Sequence, residues 1–350
     1  MRTLQELLRP NISQLEPYSC ARNEFSGKSA QVFLDANENP YNAPLNRYPD
    51  PLQTELKQRL AQIKGVQPEQ ICLGNGSDET IDLVYRCFCR PGKDNVVAID
   101  PTYGMYKVCA DINDVEYRSI PLNTQFDIQA EAMLDAADAN TKVMWICTPN
   151  NPSGNDLNEQ QIRMILDLFD GIVVIDEAYS DFTHRRAFRY ELDKYPNLIV
   201  LNTMSKAWAL AGIRLGMAFA SKDIIEVFNK VKYPYNINLL TQQKAMDALN
   251  HTLEVSKWVS TIILERSRLM DAFTQLPSCV KVYPSNANFF LTEMTNANDI
   301  YNYLVNRGII VRNRSRVSMC NNCLRITIGT KAENNELLAA LRIYDIENKK

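Results

Sequence analysis

The chain has 350 residues, 45% of them apolar and 23% charged, and a formal net charge of −3. That length and balance exclude a mainly disordered chain and predict a large domain with a smaller companion, able to bury its core without covalent staples. The slight negative charge, with no cluster of Lys or Arg, excludes a nucleic-acid binder, and no apolar run approaches the length needed to cross a bilayer.

From the start, Met1 to Pro10 interleaves Arg2, Glu6 and Arg9 with Leu4, Leu7 and Leu8. That is the pattern of a short amphipathic helix and lacks the apolar run of a secretory signal. Leu52, Leu56, Leu60 and Ile63 then share one helical face. Ile71-Cys72-Leu73 is a short strand that stops at Gly74, and Ser77 is expected to cap a helix with Asp78 and Glu79 in its first turn. Buried strands follow at Val96–Ile99, Val143–Cys147, Ile172–Ile175, Leu198–Leu201 and Leu215–Ala220, with helical patterns at 103–112, 129–138 and 158–169. Continuous apolar strands alternating with helices predict an α/β fold with a mostly parallel sheet covered on both faces, whose ligands sit beyond the strands' carboxyl ends. After residue 222 the pattern changes. One long helix is expected over 238–276, then strands near 280–283, 288–293, 309–312 and 324–328 and helices near 297–306 and 332–346, the makings of a smaller α+β domain.

Nine scattered cysteines in a chain without an export signal read as reduced thiols of a cytoplasmic protein. Cys320-x-x-Cys323 lacks a second ligand pair, and the only two histidines, His184 and His251, lack metal-ligand spacing, so no metal is expected. With two histidines and no G-x-S-x-G elbow, a Ser-His-Asp scheme is also disfavoured.

Four segments carry chemistry, each ordinary when taken alone. Lys206, in Thr203-Met204-Ser205-Lys206, follows a buried strand among apolar residues. Desolvation there lowers an amine's pKa and frees it for imine formation, although most such lysines are simply surface residues. Asp176 closes the apolar run Val173-Val174-Ile175 and needs a cationic partner, which a pyridinium nitrogen would supply; a helix cap or another kind of acid would look the same. Thr148-Pro149-Asn150-Asn151-Pro152-Ser153-Gly154 fixes a turn past a strand and can hold an amide donor rigidly, with Tyr179 within reach of the same acceptor; it also reads as a plain turn. Gly74-Asn75-Gly76-Ser77-Asp78 joins a strand to a helix, and such backbones receive phosphates. Asp78 beside a phosphate needs a nearby cation, for which Arg214 is the candidate, with Ser205 as a further donor.

In this order the segments resemble the fold-type I pyridoxal-phosphate aminotransferases, and within them the histidinol-phosphate aminotransferase family. The likeness runs from Leu34-Asp35-Ala36-Asn37-Glu38-Asn39-Pro40 through Asn46-Arg47-Tyr48-Pro49, Pro101-Thr102-Tyr103-Gly104-Met105-Tyr106 and Gly308-Ile309-Ile310-Val311-Arg312 to Cys323-Leu324-Arg325-Ile326-Thr327-Ile328-Gly329. It implies the type I transferase fold: an N-terminal segment, 1–45, against the small domain, a cofactor-binding large domain, 46–240, and a small domain, 241–350. It implies pyridoxal 5'-phosphate as cofactor, bound as a Schiff base on Lys206, with Asp176 on the pyridinium, Asn151 and Tyr179 on the ring oxygen, and Tyr103 stacked on the ring. Ser205, Arg214 and the backbone at Ser77 and Asp78 match the phosphate cup. Tyr48 matches a tyrosine that reaches the cofactor phosphate of the other subunit, which implies a homodimer with shared active sites. Arg325, with Arg312, Tyr18 and Asn37, matches the substrate pocket. One guanidinium fork binds either the carboxylate of glutamate or the phosphate of histidinol phosphate, so one pocket would serve both substrates. The same resemblance leaves open a threonine-phosphate decarboxylase, an aromatic or broad-specificity aminotransferase, and a non-catalytic ligand sensor.

Overall fold

Central strands buried along their whole length organise this molecule, seen in a computed structural model that describes residues 2–18 and 32–348. Seven strands form the large sheet: β1 (Ile71–Asn75), β2 (Asn95–Asp100), β3 (Glu116–Pro121), β4 (Thr141–Cys147), β5 (Ile172–Asp176), β6 (Leu198–Thr203) and β7 (Leu215–Ala220). Their order is β1-β7-β6-β5-β4-β2-β3, and β7 runs antiparallel to both of its neighbours while the other pairings are parallel. Val97, Ile99, Val173 and Ile175 belong to one apolar core, and Val96, Ala98, Ile172 and Val174 to a second on the opposite face. A sheet buried on both sides needs strands that are apolar throughout, which is why these segments stand out in the sequence.

A four-stranded antiparallel sheet follows, β10-β11-β9-β8, made of β8 (Cys279–Val282), β9 (Phe289–Met294), β10 (Arg312–Asn313) and β11 (Cys323–Thr327). Helices Thr252–Phe273, Ala297–Val305 and Lys331–Glu347 cover it, and Leu269, Phe273, Phe290, Leu324 and Leu341 form its own core. Phe289 and Leu291 belong instead to the large-sheet core, so the two sheets meet at β9.

Several sequence expectations shift. The single helix over 238–276 is two, Leu239–Ala248 and Thr252–Phe273. The break falls where Leu249 is buried and Arg59 Nη2 donates to its carbonyl at 3.2 Å, a tertiary bond that periodicity cannot register. Ser77 is the first residue of its helix rather than its cap; Gly76 is the N-cap and no side chain caps that end. β3 escaped notice because it is an edge strand carrying Glu116 and Arg118. The strand expected at 309–312 is only Arg312–Asn313, after Gly308 turns the chain at a φ of 75°. At the N-terminus, Pro10 splits the expected helix into the short turns Leu4–Leu7 and Pro10–Ser13. Among the described residues, no helix is long and apolar enough to cross a membrane.

Candidate active site

The parallel strands β4, β5 and β6 end side by side, with Cys147 opposite Asp176 and Asp176 opposite Leu201. Beyond these carboxyl ends lies a cavity of about 560 Å³, part of it open to solvent, lined by Ser77, Asp78, Tyr103, Asn151, Asp176, Tyr179, Ser205, Lys206 and Arg214. Residues from 77 to 214 thus converge on one place, as in other sheets of this build.

Asp176 is 3% exposed, and its burial raises its carboxyl above the usual range. Tyr106 Oη donates to its Oδ2 at 2.6 Å and the Ala178 N–H to its Oδ1 at 3.0 Å. Among the described residues no cation pairs with it, so it is a buried acid wanting a positive partner. Tyr106 was not singled out from sequence. Its ring is fully buried, stacked on Trp145 at 4.8 Å and edge-on to Tyr103 at 5.7 Å, so it couples the carboxylate to the wall of the cavity.

Lys206 lies just past the end of β6, its Nζ 5.6 Å from the centre of the Tyr179 ring. Burial, and then the Arg325 charge, lower its pKa; Asp176 and Asp78 oppose this more weakly. A larger share of neutral amine results. Tyr179 is itself buried, which raises its hydroxyl pKa.

The two adjacent asparagines do different things. Asn150 is fully buried and holds the turn together, donating through Nδ2 to the Pro101 carbonyl at 3.0 Å and to Ser153 Oγ at 2.8 Å. Asn151 faces the cavity, and Arg325 Nη1 donates to its Oδ1 at 2.6 Å. A guanidinium only donates, so this bond fixes the amide's orientation and leaves its N–H groups for the cavity.

At the other end, the helix starting at Ser77 presents uncapped N–H groups. Gly76 has a φ of 76°, and a Cβ there would collide with the Arg214 guanidinium. A Cβ on Gly216 would collide with the Ser77 backbone nitrogen, so strand β7 and the helix start approach this closely only because both positions are glycine. Arg214 Nη2 sits 3.5 Å from Asp78 Oδ2, Tyr103 Oη donates to Asp78 Oδ1 at 3.0 Å, and Arg214 Nη1 is 3.5 Å from Ser205 Oγ. Thr203 Oγ1, given no role in the sequence reading, donates to Ser205 Oγ at 3.0 Å.

These residues fit pyridoxal phosphate. The unpaired buried carboxylate suits a pyridinium, the amide and phenol suit a ring oxygen, and the glycine-walled helix start with Arg214 and Ser205 suits a phosphate.

Not every expected residue is at this cavity. Arg325 stands at its edge, against the Phe289 ring at 5.0 Å, and Arg312 is exposed on the neighbouring strand. Tyr48 and Asn37 line a separate concavity, where Tyr48 stacks on Tyr235 at 4.5 Å. Tyr18 is 72% exposed and lines neither. Arg314, which sequence reasoning passed over, is partly buried close to Arg325 and Tyr179.

Residues 21–341 match the family described as aminotransferase class I and II. A histidinol-phosphate aminotransferase of Bacteroides fragilis is 60% identical over 344 residues, covering 98% of this chain and all of the relative. Among solved structures, the histidinol-phosphate aminotransferase of Sinorhizobium meliloti in complex with pyridoxal-5'-phosphate superposes with a TM-score of 0.79 at 24% identity, over 87% of this chain and 84% of that one. The L-threonine-O-3-phosphate decarboxylase of Porphyromonas gingivalis does so at 0.74 and 23% identity, over 87% of this chain and 92% of that one. The fold alone therefore does not choose between amino transfer and decarboxylation; the near full-length sequence likeness does.

Proposed function

The chain belongs to the histidinol-phosphate aminotransferases, within the class I and II aminotransferases, and we infer that it exchanges an amino group between glutamate and imidazole acetol phosphate, giving 2-oxoglutarate and L-histidinol phosphate in L-histidine biosynthesis. The observation that carries this reading is the convergence of Lys206, Asp176 and Asn151 on one cavity with Arg325 at its rim. Pyridoxal phosphate, when bound, supplies a protonated ring that accepts the electron pair released at the substrate carbon.

We assign the remaining work to the chain's own groups. Lys206 Nζ, its pKa lowered by burial, is the amine that holds the cofactor at rest and the base that takes the proton from the substrate carbon. Asp176 holds the ring nitrogen, and Tyr106 holds Asp176. Asn151 and Tyr179 would donate to the ring oxygen, and Tyr103 would supply an aromatic wall for the ring. Ser205, Arg214 and the N–H groups at Ser77 and Asp78 hold the phosphate. Arg325 pairs with the anionic end of either substrate, with Arg312 beside it across the β10–β11 ladder; Tyr18 and Asn37 lie off this cavity in the single chain.

We further propose a homodimer. Tyr48 is 49% exposed and lines a concavity separate from the Lys206 cavity of its own chain, which suits a residue that serves the partner's site. We read 46–240 as the cofactor-binding domain and 241–350 as the small domain; the start of the 1–45 segment packs on the large domain rather than, as expected, on the small one, with Leu7, Leu8 and Ile12 in the second core of the large sheet and the Arg9 N–H donating to the Cys87 carbonyl at 3.0 Å, and we place the enzyme in the cytoplasm, where thiols stay reduced.

The test is to add L-histidinol phosphate alone to the cofactor-loaded protein and follow its visible absorption band. Loss of the resting band, with appearance of the aminated cofactor's band, is the expected outcome. A band that responds to glutamate or an aromatic amino acid but not to L-histidinol phosphate would refute the substrate assignment and keep the reaction class.

A further inference from the structure

The small sheet places like charges together where nothing in its own packing asks for them. Arg312 pairs directly with Arg325 across the β10–β11 ladder, and the Arg314 N–H donates to the Cys323 carbonyl at 2.8 Å, continuing that ladder. Residues two apart on a strand share a face, so Arg314 lies on the side of Arg312 and Arg325, diagonal to the latter. Like charges set opposite each other destabilise a sheet. Among the described residues, none of the three is paired with a carboxylate. The groups that most favour the charged form of Arg314 are the Cys320 thiol and the Tyr179 hydroxyl. Burial, then Arg325 and Arg312, bring its pKa down to about 10, still charged at neutral pH. The Nε atoms of Arg314 and Arg325 are both buried without a hydrogen-bond partner. Arg325 already reaches the cavity through Asn151. Such a cluster is a receptor for an anion of more than one charge.

Carboxylate and phosphate differ in what they require. A carboxylate has two oxygens and one charge, which a single guanidinium fork saturates. A phosphate monoester carries close to two charges at neutral pH and three acceptor oxygens. We propose that Arg314 is a specificity-determining residue that contacts the phosphate of the substrate and leaves the carboxylate of glutamate to Arg325. This rests on the amino-transfer reading above. One pocket then accepts both substrates and favours the phosphorylated one.

The experiment measures kcat/KM for L-histidinol phosphate and for glutamate on the cofactor-loaded wild type, Arg314→Gln and Arg314→Lys, with inhibition by inorganic phosphate and by succinate as a probe free of turnover. In Arg314→Gln the expected result is a fall of at least tenfold in the ratio of the two kcat/KM values, carried by KM for the phosphorylated substrate. Inhibition by inorganic phosphate weakens more than that by succinate. Arg314→Lys, which keeps the charge without the fork, recovers part of the ratio. If Arg314→Gln does not fold, Arg314→Lys decides: a several-fold fall in the ratio supports the proposal and an unchanged ratio overturns it. Equal losses for both substrates, or none, overturn it as well. A wild type that ignores L-histidinol phosphate while processing glutamate would overturn the substrate reading and this inference with it.

Discussion

Asp176 is a buried carboxylate with which no cation pairs among the described residues, and its raised pKa has a definite sign for stability. The folded state holds its proton more tightly than the unfolded state does. Stability from this group is therefore intact below the ordinary carboxylate pKa and is lost as pH rises from there through the raised value. Cofactor-free Asp176→Asn should accordingly melt above the cofactor-free wild type at neutral pH, with the gap closing on acidification. With pyridoxal phosphate present the order should reverse, because a pyridinium has an ion pair to make only with the acid. Thermal unfolding at two pH values, with and without cofactor, checks both halves. Arg325 orients Asn151, and in the proposed reading it binds substrate as well. Arg325→Ala should weaken both substrates by about 2–5 kcal/mol, the usual cost of removing one partner of a buried charged pair. Steady-state constants for each half-reaction measure this, and an effect confined to glutamate would contradict the shared pocket.

The strands set the site's frame, and the loops that follow them are held by buried charge. Glu177, directly after β5, is fully buried and paired with Arg185 at 2.7 Å. Arg185 also donates to the Thr148 carbonyl at 3.3 Å and lies over the Phe188 ring at 4.8 Å, so one side chain ties the loop after β5 to the loop after β4. Removing Glu177 leaves the buried Arg185 with only the more distant Asp156 carboxylate, 3.5 Å away. Glu177→Ala should therefore destabilise by about 3–5 kcal/mol, read as a shift in the urea midpoint. The double variant Glu177→Ala with Arg185→Ala should cost less than the sum of the two single changes.

At the scale of the whole molecule, the position of Tyr48 outside its own cavity makes a prediction about assembly. If active sites are shared between subunits, Lys206→Ala and Tyr48→Ala are defective in different halves of the same site. Mixing the two inactive variants under conditions that exchange subunits should restore activity, because each mixed dimer holds one intact site and one with both defects. No gain on mixing, with exchange verified by native mass spectrometry, would count against a shared site. The meeting of the two sheets at Phe289 and Leu291 matters here too, since Arg325 of the small sheet lies against the Phe289 ring, which belongs to the core of the large one.

Much of this was open to reading in one dimension. Strands buried on both faces declare themselves as apolar runs, and Asp176, Asn151 and Lys206 lie at or just past the carboxyl ends of strands, where side chains in such sheets gather around a ligand. Gly76 and the residues after it were legible because a helix start that receives phosphate needs glycine backbone. Other features depend on groups far apart in sequence. Tyr106 became relevant only when 70 residues of separation closed to a 2.6 Å bond with Asp176. Which of two adjacent asparagines faces the cavity depended on Pro101 and Ser153 claiming the first and Arg325 the second. The break in the 238–276 helix depended on Arg59. Local pattern determines which residues can form an element and which face is apolar. Hydrogen bonds and charges between distant segments decide what each polar side chain does, because those energies exist only once the chain has brought the partners together.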